Sequence, residues 1–345
     1  MGGPLKISIF TRDHIDQPSP YIRLVQPLTF LKRSASLAVE SEMVNDELMV
    51  DAESWRAADV VIITRGFPSR DTIDFIREIS ASKKHLVYET DDAIPLIPDH
   101  HQKPWYREAA PHIFECARLA NVVTVSTAPL AQVFRASNRS VEVIENQLDP
   151  RIWKPHLRTE KRGGEDRIRV GMVGSKHHEQ DFGILRDVVG AIAKQHESVM
   201  WIAYGEGAKN LLDVLPADKC QFIPSNYHYE SHPERLAKLR LDIGLCPLAD
   251  DDFNRCKSDI KYLEFAFLGV AGIYSRLPPY ESSVSHKVNG LLCEWSPEDW
   301  HDQIQALIND RALRDQISQR AYSSIQDRIL NYDNNRWNEI LAKLV

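Results

Sequence analysis

Two periods alternate along this chain. Short β-branched runs are separated by stretches whose apolar residues recur at helical spacing. The first half predicts strands at LKISIF (5–10), SLAV (36–39), DVVIIT (59–64), HLVYE (85–89), NVVTVS (121–126) and VEVIE (141–145). The second half repeats the pattern at IRVGMV (168–173), VMWIAY (199–204), CQFI (220–223), LDIGLC (241–246), VAGIYS (270–275) and GLLC (290–293). Several of these runs are apolar without alternation, as expected of strands covered on both faces. Strands alternating with helices predict βαβ units around mainly parallel sheets. Beyond about residue 300 the pattern is helical throughout, in segments that can pack on the second half or return to the first.

The stretch DPRIWKPHLRTEKRGGEDR, 149–167, carries charge, proline and glycine with no apolar period, and reads as a linker. It divides the chain into an α/β domain over 1–150, a second over 165–325, and a terminal helix over 326–345 that can cross back to the first. The predicted fold class is therefore two Rossmann-like domains facing each other across a cleft, with ligands at the carboxyl ends of the strands.

At 345 residues the length suits two domains, and with 43% apolar and 26% charged residues the composition is that of a soluble globular protein. No run approaches the length of a membrane span. A net charge of −7 argues against general nucleic-acid binding. The N-terminus passes straight into a strand without signal-peptide anatomy, and five scattered cysteines without a C-x-x-C suit free thiols in a reducing cytoplasm.

Candidate chemistry gathers in three places. FNRCKSDIKYLEFAFLG, 253–269, reads as a helix N-capped by Ser258, with Lys257, Lys261 and Glu264 on one face. Like charges at i, i+4 destabilise a helix by a few tenths of a kcal/mol, roughly, so an anion is expected between the lysines. The lysines can act as point charges for a diphosphate and Glu264 can accept from a ribose or sugar diol; a solvated helix with Lys261 paired to Glu264 reads equally well. After strand 168–173, the turn at Gly174 and Ser175 leads to a helix near Asp181 and offers backbone N–H groups to a phosphate, though an ordinary turn accounts for it too. His177, His178 and Asp181 beside it suggest either a metal or solvated polar residues. YETDDAIPLIPDHH, 88–101, delivers Glu89, Asp91 and Asp92 to a strand's carboxyl end, as acids for a metal or a hydroxyl, or as turn and capping residues. Arg23 in PYIRLVQPL and Arg65 in ITRGF stand where each can meet an anionic group or serve as an ordinary surface arginine.

In order, these segments resemble the GT-B-fold glycosyltransferases of the retaining "group 1" class, family 4-like. KSDIKYLEFAFLGVAGIYS followed by PPYESSVSHKVNGLLCEWSPEDW resembles the donor-domain signature, and VTVSTAPLAQVF, VIENQLDPRIW and RVGMVGSKHHEQD fit the domain junction and first donor loop. The resemblance implies sugar transfer from a nucleotide-sugar donor on the C-terminal domain to a glycan or lipid-linked acceptor on the N-terminal domain. It implies no bound metal and no resident cofactor. The donor set is then Gly174, Ser175, Lys176, Tyr204, Lys257, Ser258, Lys261 and Glu264, with Glu264 holding the ribose. Acceptor-side residues are Arg23, Arg65, Asp91 and Asp92, and the catalytic set is Asp91, Asp92, Lys261 and Glu264. Cys256 stands where the class often has a second glutamate. The implied setting is cell-surface polysaccharide or glycoconjugate assembly in the cytoplasm, with peripheral contact at the inner membrane face. Lys32 and Arg33 after an apolar turn suit that contact. The alternatives are a metal-dependent GT-A enzyme built on Asp91 and Asp92, an oxidoreductase, which would lack its glycine fingerprint here, and a catalytically silent nucleotide- or glycan-binding relative.

Overall fold

The valine and isoleucine runs do become strands, and their burial explains their composition. The computed structural model describes residues 3–45, 47–98, 105–157, 167–225 and 228–345, so the central part of the expected linker and the end of the 88–101 stretch lie outside the described residues. Two units form: Met1–Asp149 with Arg255–Ser258 and Leu330–Val345, and Pro150–Asn254 with Asp259–Ile329.

The first unit contains β1 (Leu5–Phe10), β2 (Ala35–Val39), β3 (Ser41–Val44), β4 (Glu47–Val50), β5 (Val60–Thr64), β6 (His85–Thr90), β7 (Val122–Val125) and β8 (Val141–Val143). Six of them make a parallel sheet in the order β2-β1-β5-β6-β7-β8. Every residue of β5 is buried, as its unbroken apolar run requires. The strand order reverses between β1 and β5, which makes their carboxyl ends the natural ligand position. An antiparallel hairpin, β3 with β4, was not expected. Its residues alternate weakly and are largely exposed, so they carry little of the buried-strand signal.

The second unit contains β9 (Ile168–Val173), β10 (Val199–Tyr204), β11 (Cys220–Ile223), β12 (Ile243–Cys246), β13 (Ala271–Ser275) and β14 (Leu291–Cys293). They form a parallel sheet in the order β11-β10-β9-β12-β13-β14, with the reversal between β9 and β12. Helices Pro297–Asn309 and Arg311–Ser324 start at Ser296 and Asp310, whose side chains accept from Asp299 N and Leu313 N. They bring Trp300, Ile304, Leu307 and Ile317 into the core against Val170, Ile243 and Ile273.

The final helix, Trp337–Leu344, belongs to the first unit. Trp337, Ile340 and Leu341 complete the core formed by Leu5, Ile7, Val60 and Val87. Asn335 donates to Pro27 O at 2.6 Å and Phe30 O at 3.1 Å, and the Trp337 indole donates to Arg23 O at 3.3 Å. Truncating so large a buried side chain loses transfer free energy and leaves a cavity. Trp337→Ala is expected to destabilise the first unit by about 3–5 kcal/mol in urea unfolding and to lower amide protection in β1 and β5. A change below about 1 kcal/mol would show that the core closes without this helix.

Candidate functional site

In the second unit, polar chemistry converges at the reversal between β9 and β12. The helix that follows β12 runs Ile260–Phe267. Its face carries Lys261 and Glu264, three apart, which brings them together. Glu264 is 1% exposed. One carboxylate oxygen accepts from Lys261 Nζ at 2.8 Å, and the other faces His232 Nε2 at 3.1 Å and the Tyr229 hydroxyl at 3.4 Å. His232 Nε2 is short in distance but poorly aligned, so its contact with Glu264 is electrostatic rather than a good hydrogen bond. The His232 ring stacks between Tyr204, at 5.9 Å and 11°, and Tyr229, at 5.5 Å and 22°. Burial alone would raise the Glu264 carboxyl; Lys261 and His232 overcome it and hold it at about 2. Burial likewise opposes the Lys261 charge, and Glu264 restores it and raises its pKa above the usual lysine range. A fixed ammonium, a quarter exposed, therefore stands at this carboxyl end.

The turn after β9 is built differently from the expectation. The Gly174 N–H donates to Tyr204 O at 3.0 Å and is not turned outward. A Cβ at Gly174 would meet the Phe182 ring at 2.9 Å, so packing accounts for this glycine. The following residues make a 3₁₀ turn, Lys176–His178, and then only the short helix Glu179–Gly183, which leaves little helix dipole to aim at an anion. Ser175 and Lys176 are exposed there. Gly205, at φ +87°, and Gly207 let the turn after β10 approach: a Cβ on either would come within 2.5 Å of the Gly174 or Ser175 carbonyl oxygen. Asp181 is buried and ties the loops together by accepting from Ala249 N and Asn254 Nδ2, both at 2.9 Å, and by facing His178 Nδ1 at 2.8 Å. Among the described residues no group of three or more His, Cys, Asp or Glu is arranged to hold a metal ion.

Two expectations about this helix need correction. Lys257 and Ser258 precede the helix and group with the first unit. Thr127 Oγ1 donates to Cys256 O at 2.8 Å and Asn146 Nδ2 to Ser258 Oγ at 2.8 Å, which holds this segment against first-unit residues. Lys257 Nζ lies 3.8 Å from Asp92 Oδ1, and because Lys257 precedes the helix, the expected i, i+4 lysine pair along it is not formed. The N-cap is Asp259 and not Ser258, and it makes no side-chain cap because Arg328 and Ser283 occupy its carboxylate. The Cys256 side chain is buried.

In the first unit, acids and arginines meet at the carboxyl ends of β1, β5 and β6. Arg65 follows β5 with φ +41°, a strained conformation for a side chain of this size. It is held by its N–H on Glu89 O at 2.8 Å and by Tyr88, whose hydroxyl donates to Arg65 O at 2.9 Å. Its guanidinium reaches Asp92 at 2.7 Å and Asp91 and Asp13 at 3.5 Å each. Asp91 also accepts from Ser19 Oγ at 2.8 Å. Burial pushes its carboxyl up, and Arg65 opposes the rise. Arg23 is not on an open surface: 2% exposed, it donates to Glu89 at 2.7 Å, Ile144 O at 2.5 Å and Asn146 at 2.8 Å. Burial raises Glu89 to about 7 against the pull of Arg23, which marks the pair as internal support for β6. Beside this cluster lies a cavity of about 810 Å³, lined by the loop after β1 (Arg12, Asp13), the loop after β5 (Ser69, Asp71) and the hairpin (Glu42, Met43). It sits at the strand-order reversal, where a ligand belongs.

No family model matches this chain, and no curated protein matches it. Solved structures do. Anabaena HepE, crystallised in complex with UDP and glucose, is 14% identical, with 98% of each chain covered and a TM-score of 0.69. Sucrose-phosphate synthase from Thermosynechococcus elongatus is 10% identical over 99% of each chain, with a TM-score of 0.71. A glycosyltransferase from Rickettsia africae is also 10% identical over 99% of each chain, with a TM-score of 0.69.

The chain has the GT-B fold. Within this GT-B chain, sequence reasoning located the Lys261–Glu264 pair and the acids after β6 but missed His232, Gly205, Asp13 and the cavity. G-x-G directly after VMWIAY was a usable signal for the close approach at β10. For His232 no local pattern existed, since its partner is 32 positions away in sequence.

Unfolded, the Glu264 carboxyl returns to its ordinary value of 4.5, against about 2 when folded. The stabilisation it supplies is therefore complete above about pH 4.5 and is lost as pH falls toward 2. In unfolding experiments the wild type should lose stability through this window more steeply than Glu264→Gln. Parallel profiles would show that the carboxylate is not held ionised.

Proposed function

We propose that this chain is a glycosyltransferase that moves a sugar from a nucleotide-sugar donor, held by the second unit, to a glycan or lipid-linked acceptor, held by the first. On this reading transfer proceeds with retention, without a resident cofactor, in cell-surface polysaccharide or glycoconjugate assembly. The observation that carries the proposal is the buried Lys261–Glu264 pair at the strand-order reversal of the second unit, in a chain with the GT-B fold. HepE, of similar fold, was also crystallised with UDP and with UDP-glucose, which supports a nucleotide-diphosphate ligand at such a fold. No helix among the described residues is long and apolar enough to cross a membrane, and peripheral contact with one belongs to the proposal.

Each residue then has a physical task. Bond breaking between the sugar C1 and the donor phosphate leaves negative charge on the diphosphate, and the Lys261 ammonium stabilises it. Glu264 keeps that ammonium charged and in one place. The Glu264 oxygen that accepts from Lys261 keeps a lone pair for a ribose hydroxyl. Ser175 and Lys176, exposed beside the turn, border the diphosphate, and Tyr204 braces His232 from behind. The acceptor oxygen forms its bond to C1 on the face the leaving group departs, and the acceptor proton passes to the departing phosphate oxygen. Asp91 and Asp92, drawn onto Ser19 and Arg65, orient acceptor hydroxyls and take no proton, and Lys257 adds a counter-charge beside Asp92.

Lys261→Ala should lower turnover by about 10²–10³-fold with the fold intact, as loss of a donor to developing negative charge does elsewhere. Activity should survive a chelator. Full activity in Lys261→Ala would remove the proposal, and a chelator-sensitive reaction would remove its metal-free form. A second reading, a silent nucleotide- or glycan-binding relative, is favoured by the buried Cys256 where the class often has a glutamate. Donor binding with neither hydrolysis nor transfer across a donor and acceptor panel would select it.

A further inference from the structure

The hairpin and the cavity of the first unit are joined by one contact. Thr11 N donates to Ser41 Oγ at 2.7 Å, and Ser41 Oγ donates to Thr11 O at 2.8 Å. Thr11 begins the loop that lines the cavity, and Ser41 begins β3, so cavity wall and hairpin are positioned as a unit. The two surfaces differ in kind. Around the cavity stand the carboxylates of Asp13, Glu42, Asp71 and Glu108 and the guanidinium groups of Arg70 and Arg12, the latter donating to Ser69 Oγ at 2.9 Å. Such a mix of acceptors and donors suits the hydroxyls of a sugar, and the preponderance of carboxylates disfavours a phosphate.

The lip is apolar. Val39 and Met43 line the cavity yet are 43% and 38% exposed. Exposed apolar residues gathered next to a polar cavity mark a ligand with two ends, and methionine adapts to flexible apolar groups.

Resting on the glycosyltransferase reading, we propose that this site takes an uncharged glycoside with an apolar aglycone, its sugar in the cavity and its aglycone along Val39 and Met43. The acceptor is thereby an amphiphile whose sugar end carries no phosphate.

The test uses the full chain without donor. Methyl, hexyl and decyl glycosides of neutral hexoses, below their micelle thresholds, and hexose phosphates are titrated calorimetrically against wild type and Met43→Lys, with Val39→Ser as a second variant. Affinity should rise at least about tenfold from methyl to decyl, since each buried methylene adds to it. Both variants should lose that rise while binding the methyl glycoside as wild type does, and the phosphates should bind more weakly. Affinity independent of chain length, a preference for the phosphates, or no glycoside binding would overturn the proposal. So would loss of the chain-length effect with self-association of the protein, which would assign the hairpin to a second copy. A parallel titration with nucleoside diphosphates separates the two readings. Nucleotide binding without glycoside binding removes the amphiphile alone, and absence of both removes the glycosyltransferase reading.

Discussion

A parallel strand buried on both faces leaves its side chains no room for charge, and this constraint governs both units. β5 is buried at all five positions, and β12 and β13 are buried throughout. Such strands push charged groups toward their ends, and because the strands of each sheet run the same way, the carboxyl ends gather them at one edge. The order of strands then singles out one place along that edge, between β1 and β5 in the first unit and between β9 and β12 in the second. Arg65, Asp91 and Asp92 in one case, Lys261 and Glu264 in the other, follow from this geometry before any functional argument is made.

The two units handle buried charge in opposite ways. The second surrounds one carboxylate with an ammonium, an imidazole and a phenol, so the acid is held ionised and the lysine keeps its charge. The first surrounds one guanidinium with three carboxylates and accepts a strained Arg65 backbone to do so. Removing one member of either cluster leaves the remaining charge poorly compensated, and such clusters keep a fixed geometry more than they add stability. Fixed geometry is what orienting two substrates demands.

Much of the architecture was legible because apolar periodicity and β-branched runs report burial directly: all twelve expected strands are present within a residue or two at their ends. The β3–β4 hairpin escaped because exposed strands carry no such signal. At the site, Lys261 and Glu264 were legible from a three-residue spacing, whereas the place of Lys257 depended on Thr127, Asn146 and Asp92, distant in sequence. Gly174 was read as a phosphate-facing glycine, although the neighbouring Phe182 ring explains it. Arg23 read as an anion-binding or surface arginine because the carboxylate that draws it inward, Glu89, lies 66 residues on. Local pattern announces which residues are charged; only the three-dimensional neighbours decide which of them are inside.

The return of the last helix to the first unit carries a consequence for biogenesis. Trp337, Ile340 and Leu341 form part of the wall against β1 and β5, yet they are synthesised after the whole second unit. At about 5–20 residues per second the first unit waits roughly ten seconds or more with that wall missing. Its nascent form exposes apolar surface for this interval, so a unit begun before the second is closed only after it.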